Sequence, residues 1–343
     1  MNIAKHPAKN IMRAGLIGLA LSAGSAQAAD TDFYKGNTVN LYVGYSPGGG
    51  YDVYARILAR FMGKHIPGNP TVVVQNMPGA GSLRAANWLY NVAPKDGTAF
   101  ATVARGAAFD PLFGLPGTQF DATKFNWLGS ANDEVSVCVS WNPTPVKTYD
   151  DLLNKELVVG GTGGSADTDQ FPRVLNGVLG TKMKMVVGYP GGNDVNLAME
   201  RGEVQGRCGW SWSSVKSTQP NWLKDKKINV LVQLSMKKHE DLPDIPAVIE
   251  KATTDEQRAI LKLVFARQVM GRPFMAPPGV PADRIAILRK AFMETMTDPE
   301  FLVEAEKAKL EITPVNGEEI QKLVIESYKV SPDIAKKAGD LLK

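Results

Sequence analysis

The chain has 343 residues, with 39 Lys and Arg against 35 Asp and Glu and a formal charge of +4. Three of the basic residues, Lys5, Lys9 and Arg13, fall in the first stretch, so the rest stands at 36 against 35, near neutrality, with no electrostatic footprint for nucleic acid. Beyond that stretch only His65, His239 and two cysteines are candidate soft ligands, without CxxC or HExxH spacing, which argues against a metal site.

The N-terminus has the form of an export signal: the basic residues, the short apolar run Ala14 to Ala23, and Ala26-Gln27-Ala28 as an A-x-A cleavage site. Residues 1–28 are therefore expected to be a cleavable signal peptide, and the mature protein, from Ala29, to reside in the periplasm. The apolar run is far short of the roughly 20 residues a membrane span needs, and no later segment reads as transmembrane. No cysteine near the cleavage site suggests a lipid anchor. What remains, about 315 residues, suits two domains.

Thr38 to Gly44 reads as a buried strand, Pro47 to Gly50 as a turn, and Asp52 as an acceptor at a helix N-terminus. Val53, Tyr54, Ile57, Leu58, Phe61 and Met62 then recur at helical spacing, to about Lys64. Thr71 to Gln75 is a β-branched strand ending in Pro78-Gly79-Ala80-Gly81, with Ser82 placed to cap a helix through Asn91. Thr98 to Ala104 is a third strand, completing a strand–helix alternation that predicts a parallel sheet. The middle repeats the scheme: strands at Val135 to Ser140, Leu157 to Val159, Met183 to Gly188, Val204 to Trp210 and Ile228 to Leu234, with helices between, one capped by Asp194. The last hundred residues read mostly as amphipathic helix, interrupted at Phe274 to Pro281.

Val43-Gly-Tyr-Ser-Pro-Gly-Gly-Gly-Tyr-Asp-Val53 and Val187-Gly-Tyr-Pro-Gly-Gly-Asn-Asp-Val195 echo one another as strand, proline–glycine turn and acidic helix start. Glycine lets backbone approach a ligand closely, and the first turn of a helix offers unpaired N–H groups at its positive end. Facing corners of this kind would hold a small carboxylate without a lysine or arginine. Neither GxGxxG nor GxxxxGK[ST] occurs at the corners, and Gly209-Trp-Ser-Trp-Ser213 lacks the closing glycine of a nucleophile elbow. An enzyme and a cofactor are thus not expected. Arg105, at the end of the third strand, is a candidate partner for a carboxylate or else a surface residue, and Arg207 is equally ambiguous. Trp210 and Trp212 are core residues or line the cleft; in the second case they would favour a flat or apolar ligand such as an aromatic acid. Cys138 and Cys208 are either bonded, as an oxidising compartment permits, or two small buried apolar residues.

Leu41 to Arg56, Val72 to Ser82, Ala93-Pro-Lys-Asp-Gly97, Tyr189 to Gly192 leading to Gly202-Glu-Val204, Leu242 to Pro246 and Met275 to Pro281 occur in collinear order. Together they resemble the receptors of tripartite tricarboxylate transporters, the Bug or TctC-like family. The resemblance implies an α/β, type II periplasmic-binding-protein fold, expected here as lobe 1 from 29–133 and 236–343 and lobe 2 from 134–235. It implies a receptor for carboxylates that works with a large and a small integral membrane subunit driven by an ion gradient. The ligand is expected to be a small di- or tricarboxylate, or an aromatic acid if the tryptophans line the cleft, and the protein a monomer; a ligand-sensing receptor for a membrane signalling partner is the alternative. Its contact loops carry over to Tyr45, Ser46, Pro47, Gly48, Gly49, Gly50 and Asp52, to Gly79, Ala80, Gly81 and Ser82, to Thr162, Gly163, Gly164 and Ser165, and to Tyr189, Gly191, Gly192 and Asp194.

Overall fold

The computed structural model describes residues 1–2 and 32–343. The basic stretch, apolar run and cleavage motif of the expected signal peptide lie outside the described residues. Eleven strands are described: β1 (Thr38–Val43), β2 (Thr71–Asn76), β3 (Ala99–Thr102), β4 (Asn126–Ser130), β5 (Ser136–Trp141), β6 (Leu157–Gly161), β7 (Met183–Val187), β8 (Gly206–Ser211), β9 (Ile228–Leu234), β10 (Pro273–Ala276) and β11 (Val315–Asn316). The helices are α1 (Gly50–Met62), α2 (Leu83–Asn91), α3 (Tyr149–Asn154), α4 (Asp167–Leu179), α5 (Gly192–Glu200), α6 (Trp212–Thr218), α7 (Pro220–Lys224), α8 (Asp255–Phe265), α9 (Ala282–Met296), α10 (Pro299–Lys307), α11 (Gly317–Ser327) and α12 (Pro332–Leu342).

The strands form two mixed sheets. The first has the order β11-β4-β10-β3-β1-β2, with β1 parallel to both β2 and β3 and β10 antiparallel to β3 and β4. The second has the order β7-β6-β8-β5-β9, with β6 parallel to β7 and β8 and β5 antiparallel to β8 and β9. Alternation along β1 buries Val39, Leu41 and Val43, against which the α1 stripe of Tyr54, Ala55, Ile57, Leu58 and Met62 packs. In the second sheet Leu157 and Val159 meet Phe171, Val174 and Leu175 of α4 in the same way.

Two passages join the sheets, and they pair with each other. Ala131 N donates to Arg272 O (3.0 Å), Gly271 N to Asn132 O (2.8 Å) and Glu134 N to Gln268 O (2.8 Å). This short antiparallel crossing is where the chain leaves the first sheet and returns to it. The return strand β10 corrects the sequence reading, which has only an interruption between helices here. Four residues bounded by Gly271 and Pro277 are too short for periodicity to reveal, and β10 is defined by its neighbours β3 and β4. After β10 the chain builds α9 to α11 on the first sheet, whereas α8 and the last helix α12 pack on α4 of the second.

Candidate functional site

The two echoing corners face each other across the gap between the sheets. Gly49 precedes α1 and Gly191 precedes α5, both in extended backbone and neither start capped by a side chain, and the first-turn N–H groups of a helix have no partner within it. A Cβ on Gly49 would stand 3.8 Å from Gly192 N and 3.9 Å from Asn193 N. Ser46 Oγ donates to Asp194 Oδ2 (2.6 Å), and Ser46 N to Pro190 O (3.2 Å). A side chain on Gly191 would collide with the Ser46 hydroxyl. The spacing predicts Asp194 as the cap of α5, but Gly191 holds the cap position; Asp194 lies inside the first turn and its carboxylate is turned across the gap to Ser46. The left-handed residue of the first corner is Gly48 (φ 85°), next to exposed Pro47, while Gly50 lies against Ser214 and Arg272.

Asp52 holds that corner together from within. It is buried and accepts from Gly48 N (2.9 Å), Arg56 Nε (2.9 Å) and Asn76 Nδ2 (2.8 Å). Burial pushes its carboxyl up, but the hydrogen bonds from Arg56, Gly48 and Asn76 outweigh it and keep the pKa below the usual range. Asn76 Nδ2 also donates to Tyr45 O, and the Tyr45 and Tyr51 rings lie 5.0 Å apart, tilted.

The second pair of corners meets just as closely. Gly79, Ala80, Gly81 and Ser82 all have positive φ (142°, 49°, 67° and 78°). Holding Ala80 and Ser82 there costs about 1–3 kcal/mol each, a strain typical of segments shaped for contact. Gly81 N donates to Thr162 O (3.0 Å), and a Cβ on Gly81 would stand 2.7 Å from Gly163 O. Ser82 occupies the cap position of α2 but does not cap it: its hydroxyl accepts from Ala104 N (2.9 Å), because left-handed backbone aims the side chain away from the helix. On the facing side, Thr162 N donates to Thr168 Oγ1 and Gly163 N to Asp169 Oδ1 (2.9 Å), while Gly164 O accepts from Gln170 Nε2 (2.9 Å). Ser165 Oγ bonds to the buried Asp110, whose carboxyl is pushed up to about 8 by burial.

Below the corners lies a buried polar floor. Arg105 is paired with Asp167 (Nε–Oδ2 2.6 Å) and Ser211 Oγ (2.7 Å), and its backbone N–H donates to Tyr51 Oη (3.2 Å). Arg267 shares Asp167 (3.5 Å). Arg272, which the sequence reading misses, bonds to Ser211 Oγ (2.9 Å) and Ser214 Oγ (2.6 Å), faces Glu134 (3.4 Å) and stacks on Tyr51 and Tyr54. Its only sequence signal is a lone Gly-Arg-Pro before a four-residue strand, and its importance comes from the fold, which sets it where the crossing passages meet α1 and α6. Arg207 reaches from β8 to the start of α5, donating Nη1 to Gly192 O (3.0 Å) and Asn196 Oδ1 (3.1 Å).

Trp210 lies in an aromatic cluster with Trp141 and Trp222, 1% exposed, with Arg207 over its ring at 4.6 Å. Trp212 is 5% exposed and donates Nε1 to Asp241 (2.9 Å). Both belong to the packing of the second sheet rather than to the facing corners. Tyr189 flanks its corner, its N–H on Gly161 O (3.2 Å) and its hydroxyl toward Glu203 (3.4 Å). Cys138 and Cys208, buried on β5 and β8, form a disulfide.

Comparison with known proteins agrees with this architecture. Residues 54–340 match the family model described as tripartite tricarboxylate transporter family receptor. A UPF0065 protein encoded in the gbd 5' region of Cupriavidus necator is 26% identical over 96% of this chain and 97% of its own. A second, from the TAR-I ttuE-ttuC' intergenic region of Agrobacterium vitis, is 28% identical over 80% of this chain and 75% of its own. Among solved structures, the periplasmic binding protein BugD superposes with a TM-score of 0.70 at 21% identity, covering 88% of this chain and 97% of BugD. MatC from Rhodopseudomonas palustris, with bound malate, gives 0.68 at 18% identity, covering 89% of this chain and 99% of MatC. These structures establish the periplasmic-binding-protein fold, and the family match establishes the rest: this chain belongs to the receptors of the tripartite tricarboxylate transporter family.

Proposed function

We propose that this chain is a periplasmic receptor that captures a small organic carboxylate between its two lobes and delivers it to an ion-coupled transporter built of one large and one small membrane subunit. The observation that carries the reading is the approach of the α1 and α5 starts, joined by Ser46 and Asp194. Backbone N–H groups aimed from both sides suit an anionic oxygen, and only a ligand that touches both lobes favours closure. Two similar folds support the ligand class: MatC holds malate, and another R. palustris protein, with a TM-score of 0.68, holds adipate.

The lobe boundaries belong to the same reading. Lobe 1 takes 29–133 and 236–343, which carry every strand of the first sheet, and lobe 2 takes 134–235, which carries every strand of the second, with α8 and α12 of the C-terminal part packed against α4 of lobe 2. Residues 1–28 act as the export signal. The corners serve capture and not turnover, and the protein acts without catalysis.

A thermal-shift screen of residues 29–343 against di- and tricarboxylates, aromatic acids, amino acids and sugars tests the proposal. A ligand at 100 times its Kd adds about 2.7 kcal/mol to stability. Stabilisation confined to carboxylates supports the reading, and stabilisation by sugars or cations with every acid inert would overturn it.

A further inference from the structure

Four arginines converge beneath and beside the corners, and one of them stands apart. Arg105 and Arg267 flank Asp167, and Arg272 faces Glu134. Arg207 has no carboxylate within ion-pair distance among the described residues; its hydrogen bonds go to a neutral carbonyl and a neutral amide, and its buried Nε has no partner there. Burial of the guanidinium, reinforced by the nearby charge of Arg272, pushes it down to about 9.

Its position makes the lack of an anion costly. The guanidinium sits at the first residue of α5, the positive end of that helix, so close that a Cβ on Gly192 would collide with it. The start of α1 faces it from the other side of the gap. The carboxylates in the two first turns are committed elsewhere, Asp52 to Arg56, Gly48 and Asn76, and Asp194 to Ser46. The Trp210 ring beneath Arg207 fixes the plane of the guanidinium and shields one face from water. A partly buried cation at a helix N-terminus is stable when an anion meets it, and a planar fork of donors fits a carboxylate.

We propose that Arg207 is the specificity-determining residue for a second anionic group on the ligand. One carboxylate takes the backbone N–H groups of the facing corners, the other takes Arg207, and the receptor therefore selects dicarboxylates over monocarboxylates of equal length. This inference rests on the carboxylate-receptor reading above.

Calorimetric titration of residues 29–343 at pH 7.5 with succinate, glutarate and adipate, each beside its own monoamide, tests it. The monoamide keeps size and hydrogen bonding but loses one charge. At least one diacid is expected to bind about thirtyfold or more tightly than its monoamide, the scale of a lost charge pair. Arg207→Gln should bring that ratio to within about threefold, and Arg207→Lys should leave it intermediate. Equal affinities for a bound diacid and its monoamide in the unaltered protein would overturn the inference, a comparison that stands even where a variant fails to fold. An unchanged ratio in a folded Arg207→Gln protein would also overturn it. Binding of monocarboxylates alone removes the role of Arg207 and leaves the carboxylate reading intact, while binding of no carboxylate of any kind removes both.

Discussion

Ser46 donates its hydroxyl to Asp194 at 2.6 Å, joining two corners that lie 148 positions apart in the chain and echo one another in sequence. One corner belongs to the β1–α1 connection and the other to the β7–α5 connection, so the bond exists only while the two sheets face each other closely. It is a latch between the two corners, beside the helix starts that are proposed to hold the ligand.

Replacing Ser46 with Ala should loosen that latch. A hydrogen bond to a charged group contributes about 1.5–3 kcal/mol, so ligand affinity should fall by about tenfold or more. Titration calorimetry checks this, and unchanged affinity would show that the bond does not help hold the closed form.

Gly163 should tolerate no side chain. Its φ is +130°, and a Cβ would run into the backbone of Ala80 and Gly81. Gly163→Ala is expected to keep the two sheets folded but to hold the 79–82 and 162–165 corners apart, with affinity reduced at least about tenfold. Small-angle scattering should then show no ligand-induced compaction where the unaltered protein shows it. Normal compaction would mean that these corners need not meet.

Asp110 supplies a pH dependence with a defined sign. Burial raises its carboxyl to about 8, against an unfolded value near 3.9, so the folded protein binds one more proton than the unfolded chain between those values. Stability from this group is complete below about pH 4 and declines as pH rises toward about 8. Asp110→Asn, which keeps an amide in reach of Gln170 and Ser165, should flatten that decline and raise stability at pH 8 by about 1–3 kcal/mol, or several degrees in Tm. Chemical denaturation across pH 4 to 9 measures it, and an identical slope in both proteins would contradict the assignment.

Trp210→Ala should act on stability. The side chain is 1% exposed and packs on Trp222, which packs on Trp141, so truncation should cost about 3–5 kcal/mol by denaturant titration. A loss below about 1 kcal/mol would place the ring outside the core.

The glycine corners are legible in sequence as Pro-Gly turns followed within four residues by an acid. The parallel pairing of β1 with β2 and β3 and of β6 with β7 follows from the strand–helix alternation, whereas β4, β11 and the antiparallel placing of β5 and β9 do not. What local chemistry cannot show is which partner a polar side chain takes once the chain is folded. Asp194 and Ser82 both stand where helix starts want an acceptor, yet one turns to Ser46 and the other to Ala104 N. The left-handed turn residue is Gly48, which a run of three glycines does not distinguish from its neighbours. β10 and Arg272 escape because a four-residue strand carries no period and its pairing partners lie more than 140 residues away in the chain at Ser130 and beyond. Arg105 is legible only as an arginine near the end of the third strand, with a surface position as the alternative; its burial and its pairing with Asp167 depend on the opposite lobe.

The central claim is that a carboxylate binds between the facing corners, touching both lobes at once. Hydrogen–deuterium exchange on residues 29–343, with and without the carboxylate that stabilises the protein most, tests it directly. The account predicts simultaneous slowing of amide exchange at residues 48–52 and 192–195, with little change on the outer faces of the sheets. Slowing in one lobe alone, or at a surface away from both corners, would contradict it.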